Sequence, residues 1–288
     1  MRIPLPDSPS LSVRAQWALH GKAPDAAGYK VLACSTGELD NGNFTEALGR
    51  FSLGALDNLP QVSVSYLQPA TRPGDSYLAL AVHWFAVAGQ RYATGVAPLD
   101  ENGRQTAFTS YFCAPYRQLA DHAVSYLDLY EAFSAVTLPA QGGPPAPVVI
   151  RPSMPQVPAI DETEKRAAAL LLTGAPVCVL GAEATSTRER LAFIDTVMAL
   201  LPYGFRSRMT AATWTKATNR DHKFRLFFSS APRSAAQPDH LLHWNDPDQS
   251  HYLTGPAHDY IDTLDEKLSS VFRLREVTQE LRFGTKSA

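Results

Sequence analysis

The strongest constraint on this chain's fold is the stretch 139–158. Seven of its 20 residues are proline, at 139, 144, 145, 147, 152, 155 and 158; it carries no acidic residue and one basic residue, Arg151. Proline fixes φ and lacks an N–H, so the stretch excludes a continuous helix or a fully bonded central strand. Val148-Val149-Ile150 within it has room for a short edge strand. The remainder reads as an extended connector. It divides 288 residues into an N-terminal lobe, 1–138, and a C-terminal lobe, 159–288, each long enough for its own core.

The N-terminal lobe shows mostly strand patterns. Gln16 to Leu19 and Tyr29 to Ala33 flank a Gly-Lys-Ala-Pro-Asp turn and predict a hairpin. Val62, Val64 and Tyr66 alternate with Ser63 and Ser65, the pattern of a half-buried strand. Residues 77–88 are almost wholly apolar or aromatic, as in a central strand. The period then changes: Leu119, Ala123, Tyr126, Leu127, Tyr130 and Phe133 predict one amphipathic helix ending at Leu138-Pro139.

In the C-terminal lobe, Asp161 and Thr163 supply N-terminal acceptors and Glu164 an acidic first turn for a helix that Gly174 stops, and residues 177–180 are expected to form a short buried strand. A helix over 187–201 ends at Pro202. Strands are expected at 209–215 and 224–229, and a last helix at about 260–281. The predicted class is α+β: two lobes of mostly antiparallel strands with flanking helices, joined by the Pro-rich extended connector.

Composition narrows the function. A net charge of −2 and a pI near 6.4 exclude a generally basic nucleic-acid coat. Three scattered cysteines, Cys34, Cys113 and Cys178, make neither a disulfide framework nor a zinc knuckle, and are expected as buried free thiols in a reducing cytoplasm. The longest apolar run, 167–172, is far below the ~18 residues of a membrane span. A soluble, cytoplasmic protein is expected, without cofactor.

Four patterns could carry chemistry. Cys34, at a strand end before Ser35-Thr36-Gly37, is a candidate nucleophile with His20 or His83 as base, the arrangement of a Cys/His-dependent hydrolase. His240, His243, His251 and His258 lie among carboxylates but lack the spacing of a helix-borne zinc motif, so no metal is expected. Residues 177–187 have the strand-loop-helix order of a phosphate loop without its second glycine or its Lys-Ser/Thr pair, which excludes NTP hydrolysis by this loop.

The fourth is the segment 203–233. It holds Arg206, Arg208, Lys216, Arg220, Lys223, Arg225 and Arg233 against Asp221 alone, a net +6, interleaved with Tyr203, Phe205, Trp214, Phe224, Phe227 and Phe228. Cations and aromatics together suit single-stranded nucleic acid; alternation in Lys223-Phe224-Arg225-Leu226 suits a strand with its rings inward. Arg206, Arg208, Arg220 and Lys223 are the expected contacts to an acidic partner.

Three stretches also carry a resemblance. They are Trp17-Ala18-Leu19-His20-Gly21 followed by Gly28-Tyr29-Lys30-Val31-Leu32-Ala33-Cys34-Ser35; Ala199-Leu200-Leu201-Pro202-Tyr203-Gly204-Phe205-Arg206; and Met209-Thr210-Ala211-Ala212-Thr213-Trp214. Together they resemble the amino-terminal region of the bacterial GTPase-associated protein family, with Tyr29-Lys30 standing where that family usually has Gly-His. The resemblance implies work beside NTPases in multi-component conflict or signalling systems and supplies no catalytic residues. It therefore favours a non-catalytic interaction or regulatory module, with a GTPase or another component of such a system as partner. The hydrolase is the alternative and nucleic-acid binding through 203–233 the third reading.

Overall fold

The computed structural model describes residues 10–24, 28–68, 76–87, 96–120, 122, 124–152, 160–206, 208–219, 221–233, 240–244 and 255–267. The chain is a mixed α/β protein, and most of its strand pairings are antiparallel. It divides into two compact units, Met1–Pro155 and Gln156–Ala288.

The first unit contains β1 (Leu11–Lys22), β2 (Tyr29–Cys34), α1 (Asn41–Arg50), β3 (Gln61–Leu67), β4 (Tyr77–Phe85), β5 (Ala107–Pro115), α2 (Tyr116–Ala120), α3 (Tyr126–Ser134) and β6 (Ala146–Ile150). Its strands run in the order β3-β4-β5-β1-β2, every neighbour antiparallel, and β6 pairs with the first half of β1. On one face the small side chains of Ala18, Ala79 and Ala81 leave room for rings, and Phe44 of α1 meets Tyr111 edge-on at 5.9 Å. On the other, Phe112 stacks on Phe133 of α3 at 4.6 Å. Because both faces are covered, β3 is not half-buried as its alternation predicts. Ser63 and Ser65 are inside, and Ser65 is tolerated there because its hydroxyl bonds that of Tyr111 at 2.8 Å.

The expected single helix over 119–133 is two. Ser125 accepts from the backbone N–H of Asp128, and the Asp128 carboxylate accepts from that of Ser125. This reciprocal cap starts α3 afresh, although the three- and four-residue apolar spacing runs through the break. The Pro-rich stretch is only partly a connector. Its strand β6 belongs to the first unit, and the preceding residues are pinned there: Trp17 Nε1 donates to the carbonyl of Pro144 at 3.0 Å, and the Thr36 N–H to that of Gly143 at 2.7 Å. Residues 153–158, the last part of the expected connector, lie outside the described residues.

The second unit contains α4 (Glu162–Leu172), β7 (Val177–Leu180), α5 (Thr187–Leu200), α6 (Tyr203–Arg206), β8 (Ala211–Ala212), β9 (Leu226–Phe228), β10 (His240–His243) and α7 (Pro256–Lys267). Here the antiparallel expectation fails: β10-β7-β9-β8 are parallel throughout. After β7, α5 returns the chain to the start of β8, so the next strand runs the same way. Val177, Cys178, Val179, Leu226, Phe227 and Phe228 are all fully buried, as in parallel strands covered on both sides. α4 packs against α5 and α7, and the Tyr260 hydroxyl of α7 donates to the carbonyl of Leu200 in α5 at 2.5 Å. The expected last helix begins earlier, at Pro256, and its part beyond 267 lies outside the described residues. No helix among the described residues is long and apolar enough to cross a membrane.

Candidate functional site

Strand register places the Cys34 and histidine candidates relative to one another. His20 on β1 and His83 on β4 both pair with Thr109 on the intervening β5, so the three side chains form a row on one face. Cys34 pairs with Ala18, two residues along β1 from His20 and ~7 Å away at 3.3 Å per residue. Among the described residues no hydrogen bond joins the thiol to either ring. The protonation tendencies also oppose an ion pair. Burial, then the charge of Asp40, raises the Cys34 pKa. Burial lowers that of His20. His83 keeps a fraction of its surface accessible, yet the atoms packed around its ring push its pKa down to about 3, with the charge of His20 a smaller cause.

A nucleophilic cysteine needs a thiolate stabilised by a cation; here the thiol stays protonated and the imidazoles stay neutral. The histidines instead complete the sheet. His83 Nδ1 lies 2.9 Å from Thr109 Oγ1 and Nε2 lies 3.4 Å from Ser63 Oγ, while the ring of Tyr29 stacks on His20 at 5.9 Å. Among the described residues Cys34, His20 and His83 are thus not joined as the Cys/His-dependent hydrolase expectation would have them. Cys113 and Cys178 are buried, and none of the three cysteines forms a disulfide.

The loop after β7 already holds an anion of its own. Glu189 accepts at 2.7 Å from both the N–H and the hydroxyl of Ser186, the N-cap of α5, and these bonds hold its carboxyl below the usual range. With Ser186 Oγ accepting from the Glu189 N–H, the two residues cap the start of α5 reciprocally. Beneath the loop, Arg190 is 2% exposed, donates to the carbonyl of Ala182 at 3.0 Å and lies over the Trp214 ring at 5.0 Å. Burial lowers its pKa to about 10. The 23 residues between Arg190 and Trp214 hide this pairing from any local pattern.

In the histidine segment, His240 meets the Thr173 hydroxyl at 2.9 Å, and His258 Nδ1 lies 3.0 Å from the Asp262 carboxylate one helical turn away. His251 lies outside the described residues. Among the described residues no three His, Cys, Asp or Glu side chains gather as a metal site.

The Arg-rich segment is sorted by burial. Its rings at Trp214, Phe224, Phe227 and Phe228 are 8%, 1%, 0% and 0% exposed, so they present no face to a nucleic-acid base. Three of its arginines serve the fold. Arg206 donates to the carbonyls of Leu201 and Ala199 at 3.1 and 2.8 Å, closing the C-terminal end of α5. Arg225 donates to Leu171 at the end of α4 at 3.2 Å, and burial lowers its pKa. Arg233 donates to His222 at 3.2 Å and lies over Phe227 at 5.3 Å.

Arg206, expected as a partner contact, caps α5 through two of its guanidinium nitrogens. Arg220 lies outside the described residues. Arg208 and Lys223 are exposed, and their side chains make no hydrogen bond or ion pair among the described residues. They sit at one end of the same pair of segments: Thr210 donates its hydroxyl to the Lys223 carbonyl at 2.9 Å and accepts the Arg225 N–H at 2.9 Å. Among the described residues neither cation makes an ion pair with a carboxylate of α7, where Asp265 pairs with Lys165 and Asp262 lies beside His258.

The chain matches no known protein family model and no curated protein.

Proposed function

We propose that this chain is a non-catalytic interaction or regulatory module of an NTPase-linked bacterial conflict or signalling system, working in the cytoplasm. The observation that carries the reading is Arg208 and Lys223: exposed cations on two segments joined through Thr210, whose side chains make no ion pair among the described residues. Such a pair suits an acidic protein surface. The rings of Trp214, Phe224, Phe227 and Phe228, which a single strand of nucleic acid would need to stack on, are buried. The three stretches that resemble the GTPase-associated family supply the class of partner, and three cysteines that form no disulfide accord with a reducing compartment.

Exposed charge pairs contribute about 0.2–1 kcal/mol each, so the two cations supply orientation and encounter rate more than bulk affinity. The experiment is a binding titration of the purified chain against the GTPase or ATPase encoded beside it, at two ionic strengths. Arg208→Glu with Lys223→Glu is expected to weaken binding tenfold or more at low salt and to leave the thermal midpoint nearly unchanged. Equal binding by wild type and variant at both salt concentrations would overturn the reading, as would esterase or peptidase turnover abolished by Cys34→Ser.

A further inference from the structure

We draw no further inference here: the strongest candidate, the partly apolar end of the first unit's sheet where Tyr29, Val87 and Leu99 are exposed beside the His20–Thr109–His83 row, carries nothing because nothing in the structure shows what covers it and both ring nitrogens of His83 already face hydroxyl groups.

Discussion

His83 should make the first unit acid-sensitive, and the size of the effect follows from its surroundings. Its ring sits between β3 and β5 against two hydroxyls, with His20 as the titratable neighbour and no carboxylate contributing to its shift. Its pKa is about 3 in the folded chain against 6.5 for free histidine. The folded value is the lower one, so the unfolded chain binds more protons between those limits. Stability from this group is complete above pH 6.5 and is lost as pH falls toward 3. Over pH 7 to 4 the full shift amounts to about 3 kcal/mol. Water that still reaches part of the ring reduces this to roughly 1–2 kcal/mol. His20, also lowered by burial, acts in the same direction.

The assay is urea unfolding at pH 7, 6, 5 and 4 for wild type and His83→Gln. Glutamine can still bond the Thr109 and Ser63 hydroxyls but cannot titrate. Some stability will be lost at every pH through imperfect packing, so the readout is the slope with pH, which should be shallower in the variant by that 1–2 kcal/mol. Parallel pH profiles for the two proteins, or a His83 imidazole resonance titrating near 6.5, would refute the reasoning.

Glu164 should act with the opposite sign in the second unit. Burial and the neighbouring Asp161 charge raise its pKa to about 7 from 4.5, so its contribution is complete below pH 4.5 and lost as pH rises through 7. Glu164→Gln should therefore raise stability at pH 8 by about 1 kcal/mol relative to its effect at pH 5, read from unfolding midpoints at the two pH values; an equal effect at both would contradict the burial argument. Arg206→Ala should lower stability by about 1–3 kcal/mol by leaving two carbonyls at the end of α5 without their donor, whereas Arg208→Ala should stay within about 0.5 kcal/mol; denaturant unfolding that ranks them the other way would reverse their assignment. Cys34 should react with iodoacetamide at pH 7.5 more slowly than free cysteine because its thiol is held protonated, and faster labelling would restore it as a candidate nucleophile.

Features set within a few residues were legible in the sequence. Asp161 with Glu164 and Ser186 with Glu189 are reciprocal caps across three positions, and both helices start there. The apolar run in β4 marks a strand flanked on both sides, and β1 and β2 form the expected hairpin. The relative placement of Cys34, His20 and His83 was not legible: each is plausible alone, and only register places Thr109 between the histidines and Ala18 opposite the thiol. The parallel direction in the second unit escaped because β8 and β9 have two and three residues, too few for a period to show, although uninterrupted apolar runs separated by a helix were its signal.

Composition and local pattern alone determined that this chain alternates strands and helices, that its cysteines do not build a framework, and that cations concentrate in 203–233. Only the tertiary structure decided which cations remain outside. Arg206, Arg225 and Arg233 turn inward because helix ends and a loop present carbonyls within reach, while Arg208 and Lys223 find none and stay in water. An arginine carries the same charge in either place. What separates the two roles is whether the folded backbone brings it an acceptor that repays its desolvation, and that depends on segments as far apart in the chain as Leu171 and Arg225.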